Sequence, residues 1–397
     1  MTSGFFVRLL LGMACGFAGL AQAAGYKTGG LCEGFPKVQV KAPAGYCTGL
    51  VADERQGLKL PRRMLEVAPG RFWLVDMGGW DAGRGRLLEL HIAPGAVTVK
   101  VLASKLDRPL GLAIGPDKKV YIGEATRIWR TAVDRFAPEN VVTGLPGDGA
   151  HPLKELAFGS GGRLYINVGS FSDSCRNEAQ QQPFPCPEVV GPQPRAAVYE
   201  AVLGGPDWQL QSLKPFATGL RNSLALTVYR PPGLPEVVLQ GENSVDYPQA
   251  NTPREEFNRL QAGGNYGWPY CLENRQAARG YEKRVDCQRT RAPALLWPAH
   301  IAPLQMLVAP GALPQPWAGQ LLVAWHGHRA GAQRVMAFAL DTTGKIKGKG
   351  TQILGNWSAQ PGIRPQGAPT GLTLDSTGRL FVLEDRNHTL LVLGRDK

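Results

Sequence analysis

Three stretches of this 397-residue chain are one unit written three times, and that repetition limits the fold more than any other feature. Leu110 to Glu124 reads L-G-L-A-I-G-P-D-K-K-V-Y-I-G-E, Lys154 to Ser170 reads K-E-L-A-F-G-S-G-G-R-L-Y-I-N-V-G-S, and Thr370 to Asp385 reads T-G-L-T-L-D-S-T-G-R-L-F-V-L-E-D. Each copy has a short apolar strand, a tight turn built on Gly or Asp, and a second alternating strand ending in a polar residue. That is the pattern of a β-hairpin. Weaker copies run from Met64 to Asp76, from Leu224 to Gln240 and, with a longer turn, from Leu304 to Trp325. Six hairpins predict an all-β fold: a six-bladed β-propeller whose four-stranded blades pack around an axis. No linker rich in Ser, Gly or charge interrupts the chain, so one domain is expected over residues 24–397.

Residues 1–23 read as a secretion signal. Arg8 precedes an apolar run from Leu9 to Leu20, and Ala21-Gln22-Ala23 supplies the small-x-small pattern of a cleavage site. The run contains three glycines and is shorter than the roughly 20 apolar residues that a membrane span needs, so export is expected and stable membrane insertion is not. The predicted location is periplasmic or secreted. Beyond Cys15, the six remaining cysteines fall in three close couples, Cys32 with Cys47, Cys175 with Cys186 and Cys271 with Cys287. In an exported chain an even count reads as disulfides; of the fifteen possible connectivities, sequential pairing would staple three local loops. No C-x-x-C spacing supports a metal site, and the lack of C-x-x-C-H excludes covalent haem.

Loss of the signal removes one Arg and no acidic residue, taking the formal charge from +12 to +11. Such a balance favours anionic partners. The Lys and Arg residues are dispersed and no nucleic-acid motif is present, which argues against nucleic acid and for a small anionic cofactor or an acidic redox partner. A basic surface serving solubility is the alternative.

In a propeller, loops between axial strands converge at one mouth of the central channel. Two long insertions, Phe171 to Arg195 and Asn243 to Pro298, each carry a cysteine couple. The second holds E-E-F-N-R-L-Q-A-G-G-N-Y-G-W-P-Y-C, Glu255 to Cys271, in which Gly and Pro impose a sharp turn on two large rings, Tyr266 and Trp268. Rings so held suit a sugar-sized ligand, or else plug the core with their polar atoms satisfied. The histidines His151, His300, His326 and His328 stand at the edges of hairpins, positions that a propeller gathers around one mouth; His91 and His388 receive no role.

His151 with the hairpin that follows it, G-L-R-N-S-L-A-L at Gly219 to Leu226, G-G-N-Y-G-W-P-Y-C, H-I-A-P-L at His300 and A-W-H-G at Ala324 together resemble the glucose/sorbosone dehydrogenases, in family order and from about Pro109 to the C-terminus. These are exported six-bladed propellers that use pyrroloquinoline quinone (PQQ) with calcium. The resemblance implies oxidation of an aldose, sorbosone or related sugar aldehyde, with electrons passing to a soluble acceptor such as a cytochrome. It makes His151 the general base for the C1 hydroxyl proton, a task for which imidazole suits neutral pH. It gives Arg221 and Asn222 to the cofactor, and His326 and Arg329 as further cofactor contacts. Tyr266, Trp268 and His300 are expected to face the sugar. Gly241, Glu242, Asn243 and Asp246 fall where the family binds its calcium, and Glu255, Glu256 and Asn258 where relatives carry an acidic pair and an Asn.

The chain also departs from the glucose-oxidising branch. Paired arginines are expected just before the last hairpin, but Gly367 to Leu372 reads G-A-P-T-G-L; a Gln is replaced by Leu224, and a Lys by His326, as in sorbosone-type members. Arg329 and Arg364 are the candidates to restore the lost positive charge. Two other functions suit a six-bladed propeller: a calcium-dependent lactonase or esterase, and a degenerate, non-catalytic protein that binds sugar or protein.

Overall fold

The computed structural model describes residues 26, 28–177, 179–311, 317–329, 331–357 and 367–396; the expected signal segment and Arg364 lie outside them. The six hairpins foreseen from sequence are the first two strands of six blades. Blade 1 consists of Pro61–Ala68, Arg71–Asp76, Gly85–Ala93 and Ala96–Leu106. Blade 2 consists of Leu112–Ile114, Val120–Gly123, Arg127–Thr131 and Glu139–Thr143. Blade 3 consists of Leu156–Phe158, Arg163–Val168, Ala197–Gly204 and Gln209–Thr218. Blade 4 consists of Ala225–Tyr229, Val237–Gly241, Arg254–Leu260 and Leu295–Ala299. Blade 5 consists of Pro303–Val308, Gln320–Trp325, Arg334–Leu340 and Ile346–Leu354.

Blade 6 takes three strands from the end of the chain, Pro369–Leu374, Leu380–Glu384 and Thr389–Arg395, and its fourth, Tyr46–Ala52, from near the beginning. That pairing closes the ring. The first strands of successive blades touch one another in an unbroken cycle, including blade 6 with blade 1. Apolar side chains fill the seams between blades. Phe72 and Leu90 of blade 1 pack against Phe381 and Leu390 of blade 6, and Leu239 and Trp297 of blade 4 against Val323 and Phe338 of blade 5. Each seam removes apolar surface from water at about 25 cal/mol per Å², so the core is a set of radial layers and not one centre.

The axis is closed by Arg63. The register of the first strand shifts between Pro61 and Arg63 in blade 1, between Pro303 and Gln305 in blade 5 and between Pro369 and Gly371 in blade 6. Each shift puts an extra residue after a strand-leading Pro, and such bulges leave a backbone group without its ladder partner. Arg63 gathers the released carbonyls: its guanidinium donates to Arg62 O, Thr370 O, Leu304 O and Leu224 O, and forms an ion pair with Glu155. One buried side chain therefore ties together blades 1, 3, 4, 5 and 6.

The six cysteines beyond Cys15 pair sequentially, Cys32 with Cys47, Cys175 with Cys186 and Cys271 with Cys287. The last two bridges fold the two insertions into a joint cap, where Cys175, Cys186, Trp268 and Tyr281 share an apolar cluster. No helix among the described residues is long and apolar enough to cross a membrane.

Removing a partner from a buried ion pair typically costs about 3–5 kcal/mol, because the other charge is left uncompensated. Arg63→Ala is therefore expected to lower the unfolding free energy by at least that much, read from the midpoint of denaturant unfolding at constant slope. A loss under about 1 kcal/mol would show that the axial bonds do not hold the ring.

Candidate active site at the channel mouth

A cavity of about 430 Å³ opens where the first strands begin and the second strands end. Blade 1 contributes Arg62 and Trp80, blade 3 His151, blade 4 Asn222 and Asn243, blade 5 His326, and blade 6 Asp385 and Arg386; Leu60, Leu153, Leu224 and Leu304 form apolar walls. The size lies within the range of small-molecule sites, and an apolar interior with a few placed polar groups is their usual composition.

His151 has a defined tautomer. Its Nδ1 lies 3.0 Å from Ser170 O and 2.9 Å from Ser170 Oγ, while Ser170 Oγ donates to Ser172 O. A carbonyl oxygen only accepts, so Nδ1 carries the hydrogen and Nε2 keeps the lone pair. Burial, followed by the positive charge of Arg221, pushes the His151 pKa down to about 3, against the Ser170 bond. The ring is therefore neutral throughout the neutral range. The Gly in N-V-G-S is needed here, because a Cβ on Gly169 would lie 2.5 Å from His151 Cβ.

Asn222 is placed by a buried polar network. Its backbone N–H donates to Glu242, whose other oxygen accepts from Gln240; Gln240 also reaches Ser223 and Asn258, and Asn167 accepts from Ser223 N. Opposite His151, Asp385 accepts from Arg62 at 2.8 Å and lies 2.9 Å from His326 Nε2. Burial opposes ionisation of Asp385, but His326 and Arg62 outweigh it and hold the carboxyl at about 2.

Several expected contacts lie elsewhere. Arg221 does not line the cavity; it donates to Asp173 O and Asn243 O and pairs with Asp173 and Asp246, bracing the capping insertions. Arg329 is held by the carbonyls of Tyr247, Pro248 and Gln249, and His300 by Gln249 O. Tyr266 and Trp268 are only 5% and 3% exposed. Tyr266 donates to Arg259 O, and Trp268 to Asp173 O, the carbonyl that Arg221 also uses. The G-N-Y-G-W-P loop is thus a core plug: Gly264–Asn265 pairs with Ala217 and Thr218, and Trp268 N donates to Gly219 O, so that the loop buttresses the segment bearing Asn222. The aromatic side chain at the cavity is Trp80, 59% exposed.

The four residues expected to hold calcium make bonds within the protein. Gly241 sits inside a strand paired on both sides, the Glu242 carboxylate accepts from Asn222 N and Gln240, Asn243 O accepts from Arg221, and Asp246 is paired with Arg221. Among the described residues one His/Cys/Asp/Glu group has metal-like spacing, Cys175, Cys186 and Glu188, and its two cysteines are already joined to each other.

Residues 139–387 match a family model described as Glucose / Sorbosone dehydrogenase. In three dimensions the chain is similar to the holo form of the pyranose dehydrogenase PQQ domain from Coprinopsis cinerea, with a TM-score of 0.69 and 19% identity over 92% of this chain and 99% of that one. It is also similar to the calcium structure of a carbohydrate-active enzyme of family AA12 from Trichoderma reesei (TM-score 0.68, 19% identity, 90% and 97% covered). A third likeness is to the apo form of the soluble aldose sugar dehydrogenase from Escherichia coli (TM-score 0.60, 15% identity, 88% and 100% covered). At these identities the structural likeness is one of fold. No curated protein sequence matches the chain.

Behind the cavity, burial pushes Glu255 and Glu256 up to about 8, with Glu242 adding to the push on Glu256. In the unfolded chain both carboxyls titrate near the ordinary Glu value of about 4.3. Between these limits the native state holds protons that the unfolded state has released, so stability falls as pH rises, at most about 1.4 kcal/mol per pH unit for each proton retained. Metal-free protein is expected to melt at a lower temperature at pH 8 than at pH 5, with the Glu255→Gln, Glu256→Gln double variant flattening the slope. A melting temperature that rises over this interval would contradict the two burials.

Proposed function

The chain belongs to the glucose/sorbosone dehydrogenase family, and on that footing we propose that it is an exported, PQQ-dependent enzyme that oxidises the C1 position of an aldose or a related sugar aldehyde. The observation that carries the reading is the neutral His151, held through Nδ1 and presenting an unprotonated Nε2 at a cavity of cofactor-and-sugar size.

The donor set suits the cofactor. Flat apolar walls accept a planar ring system, and the amides of Asn222 and Asn243, the imidazole of His326 and two guanidinium groups suit oxygen-rich, anionic edges. PQQ, when bound, supplies a two-electron acceptor for the hydride that leaves C1 of the sugar. The protein's part is the proton. As hydride departs, the C1 hydroxyl becomes a far stronger acid, and His151 Nε2 takes its proton, turning a cyclic aldose into its lactone. The Nδ1–H bond to Ser170 O favours the imidazolium that forms. Ser170, itself fixed by Ser172 O and by its N–H bond to Arg221 O, keeps the ring aimed. Trp80 offers an exposed indole on which the apolar face of a sugar ring can rest, the role that sequence alone assigned to Tyr266 and Trp268.

Calcium does not fit at Gly241, Glu242, Asn243 and Asp246 as a set, because Asp246 is paired with Arg221 and Gly241 lies inside a strand paired on both sides, and the proton transfer described does not pass through it. The three disulfides accord with an oxidising compartment, which supports a periplasmic or secreted location and a soluble electron acceptor such as a cytochrome.

His151→Ala is expected to keep PQQ affinity within about twofold while lowering sugar oxidation by about 10² to 10⁴, the usual contribution of general-base catalysis. Unchanged turnover in a dye-reduction assay would remove His151 from the reaction.

A further inference from the structure

One wall of the cavity is built around a cation whose hydrogen bonding is incomplete. Arg62 is 3% exposed, and its NH1 donates to Asp385 Oδ2 at 2.8 Å. Its Nε, also buried, has no partner among the described residues. Buried guanidinium groups are normally satisfied across the whole planar fork, and an orphaned donor costs free energy until an acceptor arrives. Asp385 does not complete the set: its Oδ2 accepts from Arg62 NH1 and its Oδ1 faces His326, while Arg62 Nε stays unpaired. Trp80 lies over the guanidinium, its ring centroid 5.6 Å from Arg62 Cζ, and helps to fix the plane of the fork.

The position of Arg62 follows from the ring closure. It is the residue at the register shift of the first strand of blade 1, which lets Arg62 reach the cavity while Arg63 takes the axis. Its backbone lies against blade 6 at Gly371, where a Cβ would come within 2.5 Å of Arg62 O. The segment Gly367 to Leu372 brings no cation of its own. Arg386, following Asp385 in the chain, lines the same wall, half-buried, and among the described residues its guanidinium makes no hydrogen bond or ion pair.

We propose that Arg62 and Arg386 form the anion clamp of this cavity and receive the carboxylates of a planar polycarboxylate ligand, which on the functional reading above is PQQ. Two guanidinium groups from adjacent blades, one fixed and one half-exposed, present paired N–H donors to carboxylates at a cavity edge, the geometry in which Arg outperforms Lys. Arg62, Asp385 and Arg386 leave a net positive charge facing the ligand. Arg62 is shielded from solvent ions, whereas Arg386 is open to screening.

The test is equilibrium titration of the full mature chain with PQQ, followed by quenching of tryptophan fluorescence, at low salt and at about 0.5 M salt. Arg62→Leu is expected to weaken binding about 10- to 100-fold at either salt, the range for a hydrogen bond to a charged group. Arg62→Lys, which keeps the charge and loses the fork, should fall between it and wild type. Arg386→Ala should weaken binding about 3- to 10-fold at low salt and little at high salt, while Lys214→Ala, on the outer strand of blade 3, changes nothing. Should Arg62→Leu fail to fold, as judged by near-ultraviolet circular dichroism, Arg62→Lys and Arg386→Ala decide the matter. Wild-type affinity in both of these at low salt overturns the clamp and leaves the functional reading standing. A wild-type protein that does not bind PQQ overturns both.

Discussion

The guanidinium of Arg63 is the point on which the molecule turns. Bulges after Pro61, Pro303 and Pro369 free backbone carbonyls at the start of three axial strands, and an unpaired carbonyl buried at the axis would cost roughly as much as a lost hydrogen bond. Arg63 collects Arg62 O, Leu304 O and Thr370 O from those bulges, adds Leu224 O, and balances its charge against Glu155. Arg62, Leu224 and Leu304 also line the cavity. The bond network that closes the ring is therefore the floor on which the site is built, and the geometry of the site is as rigid as the closure.

Around that floor the loops divide their labour. The disulfide-stapled insertions give the cavity Asn243 at the start of the second; otherwise they pack on each other and, through Arg221, Trp268 and Asp173, hold the Gly219 to Asn222 segment from outside. The buried chain Asn258, Gln240, Glu242 holds it from inside. Asn222 thus owes its place to two supports, neither of which touches the cavity through its own aromatic or charged groups. His151 is positioned more simply, by Ser170 and by the absence of a side chain at Gly169.

Much of the architecture was legible because a propeller repeats: the turn-flanked hairpins at Leu110, Lys154 and Thr370, with the three weaker copies at Met64, Leu224 and Leu304, give blade number, and the close spacing of each cysteine couple foreshadows local bridges. His151 was legible because histidines recur at hairpin edges that a propeller gathers around one mouth, and because the motif that follows it resembles the family's. Orientation was not. Nothing in G-N-Y-G-W-P distinguishes rings facing a ligand from rings facing a core, and nothing in Gly241 to Asp246 shows that Arg221 takes the Asp246 carboxylate. Arg62 and Asp385 form their ion pair across 323 residues, and the bond exists only because blade 6 meets blade 1, so no local motif could reveal it. The single hint was the pair Arg62-Arg63 in an otherwise apolar strand start, two charges that a solvent-facing strand would not place side by side.

The central claim is that this cavity unites a PQQ site with a neutral base for sugar oxidation. Its most direct test is anaerobic addition of a panel of aldoses and sugar aldehydes to PQQ-loaded protein, following the quinone absorbance and the sugar product together. The account predicts bleaching of the quinone by at least one sugar with one lactone or acid formed per quinone reduced. A quinone spectrum that no sugar alters, together with hydrolysis of a lactone by the PQQ-free protein, would contradict it.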